Sequence, residues 1–475
     1  MVNKMSKNNQ KRRSGYLIKN TIVFAIGEFG AKLISFVLVP LYTYTLSTAD
    51  YGSIDLISTI SMLAIPVLTL NVSEAIMRFA LDTDADNNKI MSAGLLMMLC
   101  AVVCGLVVIP VTKWFDSTVQ YGIWIYFYIA VSICSQILLS NLRGQERLLE
   151  YSLGNMLHTF SSAVFNILFL VILQLGIKGY FLAAILAGTV SAAYAFARGN
   201  VWKVFGQITI DRKLLSEMLR FSVVLIPTSF MWWVMSSSDR LMITWIVGAS
   251  ANGIYAVACK LPNITSTLSS IFNRAWSYSA IREHDENDYD SYNNLIYNGL
   301  VAVVLIVASG LLLIVKPFMG IYVAPDYYTA WKYTPVLVLG TAMMTLGSFA
   351  ATPYTVHKDS LGFLKSGMAG AAVNIVLNFL FIPNIGVFGA ALATCVSYLI
   401  VFVYRVWDTK KYLKLNVWQK RHLLGFALLV IQVGTSYLAN PWEMILHLTC
   451  FVCLCGMCAK EWLAILCGIL KKVRR

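Results

Sequence analysis

Seven of the ionisable side chains within or beside long apolar stretches could carry chemistry: Glu28, Lys32, Arg78, Asp239, Arg240, Lys260 and Arg274. A charge in an apolar helix costs a few kcal/mol on insertion scales, so each should face a wet cavity or a partner. Glu28 and Lys32 stand four apart with Glu first, which puts them on one helix face in the favourable order. A self-neutralising pair and a pair of cavity-lining charges fit that spacing equally well. Glu74 and Arg78 repeat it near the end of a second stretch. Arg78 could meet a phosphate there; an interfacial arginine snorkelling beside a surface glutamate is the plainer reading. In "SSSDRLMI", Asp239 and Arg240 are adjacent and so point to different faces, behind three serines. Lys260 lies two residues before Pro262, a place suited to an anion or to an acidic partner such as Asp239, and Arg274 flanks the same stretch.

No catalytic signature accompanies these charges. The chain has no P-loop, HExxH, GxSxG or dinucleotide fingerprint, and its five histidines are scattered. No enzyme activity and no cofactor or metal is expected. Cys450, Cys453, Cys455 and Cys458 lie in the apolar run "ILHLTCFVCLCGMCA", where small membrane-helix residues fit better than zinc ligands. "SGMAGAAVN" sets Ser366, Gly370 and Asn374 on one face and reads as helix packing. Pro40, Pro66, Pro227, Pro262 and Pro335 fall inside expected helices and should kink them.

Composition names the elements that hold these residues. Of 475 residues, 58% are hydrophobic and 13% charged, with a mean hydropathy of +0.69, against roughly 25% charged in soluble domains. The solvent for most of the chain must be lipid. There, backbone groups must be satisfied within helices or a closed barrel, and the ten-residue alternation of a barrel is missing. About fourteen stretches are near the ~20 residues a spanning helix needs. They run over 17–45, 53–77, 91–112, 121–142, 150–175, 179–199, 218–247, 253–273, 294–315, 332–352, 361–382, 387–407, 421–438 and 442–459.

The net charge of +14 would suggest nucleic acid in a soluble protein, but its distribution argues otherwise. With the N-terminus inside, 30 of the 37 Lys+Arg fall in inside segments and five outside (Lys113, Lys178, Arg240, Lys316, Lys332). A one-helix miscount would mix the signs, so the asymmetry supports both the count and cytoplasmic termini. No nucleic-acid partner is expected. Outside loops are too short for a catalytic domain, and their aromatic edges (Trp114, Tyr121, Trp124; Tyr322, Tyr327, Tyr328, Trp331) read as an interfacial belt, though the same rings could stack on sugar.

The chain also repeats itself. Shifted by 201 residues, "TLSTADYGSIDLIS" falls on "IVGASANGIYAVAC", with Gly52 over Gly253. Further on, "QLGIKGYFLAA" resembles "NIGVFGAALAT", with Gly176 and Gly179 over Gly386 and Gly389. Six helices is an even number, so both copies enter the membrane alike. The expected architecture is all-α: two six-helix bundles related by a pseudo-two-fold axis along the membrane normal, a cavity between them, and two extra helices. The expected divisions are a basic tail (1–16), a first bundle with linker (17–217), a second bundle (218–409) and the final helices with a basic tail (410–475).

"LIKNTIVFAIGEFGAKLISFVLVPLYTYTLSTADYG", "SSSDRLMITWIVGASANGIYAVACKL" and "IYVAPDYYTAWKYTPVLVLG" resemble the Wzx-like polysaccharide flippases of the multidrug/oligosaccharidyl-lipid/polysaccharide exporter superfamily. The resemblance covers about residues 17–460. It implies alternating-access transfer of a polyprenyl-pyrophosphate-linked oligosaccharide across a bacterial cytoplasmic membrane, with the lipid tail left in the bilayer. It also implies a charged cavity built from the first, second, seventh and eighth helices, where Glu28, Lys32, Arg78, Asp239, Arg240, Lys260 and Arg274 are the matching positions. H+ or Na+ as coupling ion and glycan-assembly enzymes as partners complete the implied picture. A drug/cation antiporter of the same fold and a peptidoglycan-precursor (lipid II) flippase are the alternatives. Fourteen helices and the Lys32 and Lys260 charges count against the first, and the second should have a more arginine-rich cavity. A membrane glycosyltransferase or polymerase would need larger outside loops.

Overall fold

A computed structural model describes residues 30–82, 85–114, 118–282, 289–438 and 442–459, and among them every regular element is a helix. The chain divides into two compact units, Met1–Phe230 and Met231–Arg475.

In the first unit, α1 (30–45) leads into α2 (Thr48–Leu68), opened by the Ser47 hydroxyl, which accepts the Asp50 N–H. Pro66 removes a donor near the end of α2. The chain then turns through Leu70 and Asn71, both at positive φ, before α3 (Val72–Ala80). Next come α4 (Asn87–Trp114), α5 (Val119–Gly144), α6 (Leu148–Ile172) and α7 (Gly176–Arg198). A short α8 (Val201–Phe205) precedes α9 (Arg212–Val223) and α10 (Ile226–Ile246), which crosses the division. α7 packs on both α5 and α6, and α3 packs on α4, α5 and α9.

The second unit repeats much of this pattern. It holds α11 (Ala249–Ala258), α12 (Lys260–Arg282), α13 (Tyr289–Tyr322), α14 (Thr334–Ala350), α15 (Ser360–Ile385) and α16 (Val387–Asp408). α16 packs on α14 and α15, and α14 packs on α12 and α13. In Thr334–Val356, 83% of the apolar window is buried, against 17% in Leu148–Ile172. The first is therefore a core helix and the second presents most of its surface to lipid.

The internal repeat is recorded in backbone physics. Gly176 and Gly386, at the α6–α7 and α15–α16 turns, both hold positive φ (+56° and +59°), a region open to glycine with little steric penalty. Three residues on, a Cβ on Gly179 would stand 3.1 Å from the Phe169 carbonyl oxygen, and one on Gly389 2.6 Å from that of Phe381. The α5–α6 and α14–α15 turns match as well. Glu146 and Lys358 both adopt φ 57°. Arg147 N–H donates to the Leu142 carbonyl and Asp359 N–H to the Tyr354 carbonyl, the same six-to-one helix closure.

Ion pairs fasten these two turns. Glu150 accepts from Arg147 (2.9 Å) and Arg198 (3.4 Å) in the first unit. Lys411 meets Asp359 (3.1 Å) and Asp408 (3.4 Å) in the second, and the Tyr354 hydroxyl donates to Asp408 at 2.7 Å. The Asp359 carboxyl is held below the usual carboxylate range, chiefly by the Gly362 N–H and then by Lys411. A depressed carboxylate adds stability that is complete above its unfolded pKa and is lost as pH falls through its folded one. Wild-type melting temperature should therefore drop on acidification below about pH 4, and Asp359→Asn should flatten that part of the curve. Identical acid limbs for the two proteins would exclude the pairing.

Ten helices among the described residues are long and apolar enough to cross a membrane, fewer than the fourteen expected. The four exceptions have specific reasons. α1 is described only from residue 30, the eighth expected span breaks at Cys259 into α11, of 10 residues, and α12, of 23 residues but rich in Ser, Thr and Asn, and α17 (Lys420–Thr435) and α18 (Glu443–Met457) have 16 and 15 residues. Both final helices pack on α13. Ser309 and Gln432 exchange hydrogen bonds (2.7 and 3.1 Å), and Lys316 pairs with Glu443 at 2.6 Å while lying over the Trp331 ring. Three prolines expected to kink helices instead begin them. Pro227, Pro262 and Pro335 occupy the first turns of α10, α12 and α14, where a missing N–H is harmless.

Candidate functional site

Asp239 is the centre of a buried polar cluster in the second unit. It is 6% exposed. The Tyr255 hydroxyl donates to its Oδ2 at 2.5 Å, Thr394 Oγ1 to the same oxygen at 3.4 Å, and the Arg240 N–H to Oδ1 at 2.9 Å. Asn374 Nδ2 donates to Thr394 Oγ1 (3.4 Å), while Asn374 Oδ1 accepts from Asn378 Nδ2 (3.0 Å) and Ser238 Oγ (3.2 Å). Four helices contribute: α10, α11, α15 and α16. Asn374 and Asn378 share a face of α15 because they are one turn apart. Asn378 is fully buried, and its Oδ1 accepts no hydrogen bond among the described residues. A buried acceptor without a donor is costly. A carboxylate, two carboxamide oxygens and a hydroxyl form a donor set that suits a hard cation; the carboxylate alone could take a proton.

A second feature of this unit is a cavity of about 750 Å3 between α12, α13 and α14. Its walls are mainly apolar (Leu268, Phe272, Val303, Val307), and Arg421 stands at its edge with Asn298. Arg421 belongs to the first turn of α17, whose N-cap Gln419 makes no side-chain capping bond. Two basic residues, Lys420 and Arg421, thus lie at a positive helix terminus.

The seven sequence-selected positions are distributed as follows. Glu28 lies outside the described residues. Lys32 is exposed on α1, and Arg78 is half exposed. Arg78 pairs with Asp82 at 2.5 Å, and Glu74 reaches Arg143 at 3.8 Å, so the expected Glu74–Arg78 pair is replaced by two others. The competing carboxylate one turn further on, and a basic residue on α5, explain the change. Asp239 is buried in the cluster described above, Arg240 beside it is partly buried, Lys260 opens α12 partly buried, and Arg274 is exposed.

Three assignments from sequence change. Asn374, expected to serve packing, belongs to the Asp239 cluster. Ser366, on the same stripe, accepts from Arg405 Nε at 3.0 Å. Arg405, one of the charges counted on the cytoplasmic side, is 2% exposed within α16, donates to the Gly347 carbonyl at 3.0 Å and lies over Phe363. It ties α14, α15 and α16 together. The signal that could have found the cluster was the pair Asn374 and Asn378 at i,i+4 in an otherwise apolar helix, opposite an intramembrane Asp.

Helices are all the regular structure among the described residues, and those long and apolar enough to cross a membrane define a multi-pass membrane protein. Residues 17–277 match the family model for polysaccharide biosynthesis proteins, and the chain belongs to that family. It is 23% identical over 283 residues to the Lsg locus putative protein 1 of Haemophilus influenzae, covering 56% of this chain and 67% of that protein. It is also 23% identical over 239 residues to an uncharacterized membrane protein of Methanocaldococcus jannaschii, covering 48% of this chain and only 45% of that relative's length. Among solved structures, the lipid II flippase MurJ in an inward closed conformation is similar in fold. Its TM-score is 0.68 at 13% identity, covering 93% of this chain and 100% of that one. An inward-facing multidrug resistance MATE family transporter of the MOP superfamily is similar as well, with a TM-score of 0.62 at 12% identity, covering 87% and 98%. The protein is thus a multi-pass membrane protein of the polysaccharide-biosynthesis family, with a fold similar to those two solved transporters.

Proposed function

We propose that this protein moves polyprenyl-pyrophosphate-linked oligosaccharide units across a cytoplasmic membrane by alternating access of its two units, for assembly of a surface polysaccharide. The carrying observation is the cavity beside Arg421. Its apolar walls suit a polyprenyl chain, and Lys420, Arg421 and the uncapped start of α17 suit a pyrophosphate. The Asp239 cluster is the proposed seat of the coupling ion, H+ or Na+, and the remaining charged positions, Glu28, Lys32, Arg78, Arg240, Lys260 and Arg274, are the proposed lining of the substrate path. The termini lie in the cytoplasm on this reading, as the Lys/Arg asymmetry requires.

The test is reconstitution into vesicles holding a labelled, polyprenyl-pyrophosphate-linked oligosaccharide, scored by access of an external glycan-modifying reagent to label from the inner leaflet. Transfer should exceed that in protein-free vesicles, and Arg421→Ala should slow it at least about tenfold, the weight of one charge-assisted contact. A rate equal to empty vesicles would reject the reading. Export of organic cations by the same vesicles would favour the drug-antiporter alternative, and transfer of lipid II in preference to other glycans would favour the lipid II flippase.

A further inference from the structure

A second, smaller pocket lies in the first unit, where the start of α4, the end of α5 and the α7–α8 junction meet. It measures about 270 Å3 and is lined by the polar side chains of Asn87, Asn88, Asn141, Gln145, Asn200 and Lys203, together with Gly199, Met91 and Val204. Five side-chain amides and one ammonium around so small a space form an unusual lining, since small-molecule pockets are mostly apolar.

Asn141 is 3% exposed. Its Oδ1 accepts from Gln145 Nε2 at 3.1 Å, while its Nδ2 donates no hydrogen bond among the described residues. A Cβ on Gly199 would stand 2.9 Å from that Nδ2, so the glycine leaves the amide room. Asn200 holds φ 53°, a left-handed geometry that asparagine tolerates better than most residues, and this brings its amide to the rim. Asp86 is occupied in capping α4, accepting the N–H groups of Asn88 and Lys89, and Lys89 approaches Asp211 at 3.9 Å. Lys203 is therefore the cation among the lining residues.

We propose that this pocket binds a single sugar ring carrying a negative group. Each carboxamide offers a donor and an acceptor, so the Asn141 N–H and the other lining amides can meet ring hydroxyls, each of which gives and takes one hydrogen bond. Lys203 reads the charge. A volume below the usual 300–1,000 Å3 for drug-sized ligands holds one ring and not a chain. All three lining segments fall on the side that the Lys/Arg pattern assigns to the cytoplasm. The site would thus meet either a cytosolic sugar phosphate or an acidic sugar of the undelivered lipid-linked unit. Only that biological role rests on the flippase reading.

The test uses the purified full-length protein in lipid nanodiscs, titrated with glucose 1-phosphate, glucose and inorganic phosphate. Glucose 1-phosphate should bind at least about tenfold more tightly than either fragment. Asn141→Ala should weaken it about tenfold, the loss of one hydrogen bond to a buried amide. Lys203→Gln, an exposed change with no fold to disturb, should reduce it to the level of glucose and leave glucose unchanged. Equal affinity for inorganic phosphate and glucose 1-phosphate would overturn the proposal in favour of a plain anion site. Wild-type affinity in Lys203→Gln would overturn it too, whether or not Asn141→Ala folds. Competition by a soluble acidic oligosaccharide with the free sugar phosphate would assign the site to the glycan, and its absence to the cytosolic metabolite. Translocation is not part of the assay, so the flippase reading can fail while this one stands.

Discussion

Asp239→Asn is expected to lower transport at least a hundredfold and to abolish its dependence on the coupling ion. Asn has the shape of Asp and can still accept from Tyr255 and Thr394, so the helices should assemble. What disappears is the negative charge of Asp239, beside which the amides of Asn374 and Asn378 and the hydroxyls of Ser238, Tyr255 and Thr394 offer only neutral oxygens. A cation bound by neutral oxygens alone in a low-dielectric interior loses several kcal/mol of attraction, and each 1.4 kcal/mol is a factor of ten. Tyr255→Phe, which removes a donor and keeps the carboxylate, should cost less, about tenfold. The measurement is initial transport rate against Na+ concentration and pH in reconstituted vesicles. An Asp239→Asn protein that keeps the wild-type ion dependence would move the coupling site elsewhere.

The largest purely structural effect is expected at Gly389. A methyl group there would lie 2.6 Å from the carbonyl carbon and oxygen of Phe381. These are backbone atoms of the preceding helix, so no rotamer can relieve the clash and α15 and α16 must separate. Overpacking of this kind costs about 1–3 kcal/mol. Gly179→Ala, where the same contact measures 3.1 Å, should cost less, and Gly386→Ala should cost about 1–2 kcal/mol from the positive φ alone. Thermal unfolding in detergent should rank the three with Gly389→Ala lowest, by on the order of 5 °C below wild type. Gly389→Ala melting with the wild type would show that these helices do not approach so closely.

Much of the fold was legible because lipid simplifies the problem. With no water to satisfy the backbone, an apolar run of sufficient length must be helix, so the composition and the spacing of runs such as 332–352 and 387–407 dictated the class of structure. The repeat was legible for a related reason. Gly176 with Gly179 and Gly386 with Gly389 answer a backbone requirement, a left-handed turn followed by close helix contact, and a requirement of that kind leaves its mark in residue type. The breaks were harder to read. A single Lys beside a Pro, as at Lys260 and Pro262, marks a kink and a helix start alike, so one expected span became two helices, and the prolines at 227, 262 and 335 were indistinguishable from kinks until the helix starts were known.

Local spacing also misdirected the ion pairs. Glu74 and Arg78 have the right separation, yet Asp82 and Arg143 are nearer partners once α3 rests on α5. An i,i+4 rule cannot weigh a neighbour that arrives from another helix.

The amino-acid sequence by itself determined that this chain lives in a bilayer, that its helices repeat, and that a few charges would be held there at a cost requiring partners. Those properties depend on solvent and on local backbone geometry, which a linear pattern carries. The tertiary structure alone decided which partners those were. It set Asn374, Asn378, Thr394 and Tyr255 around Asp239, buried Arg405 among three helices, put Arg421 at the edge of a cavity and gathered five amides around Lys203. Each gathering draws on residues tens to more than a hundred positions apart, and only the packing of helices fixes which faces meet.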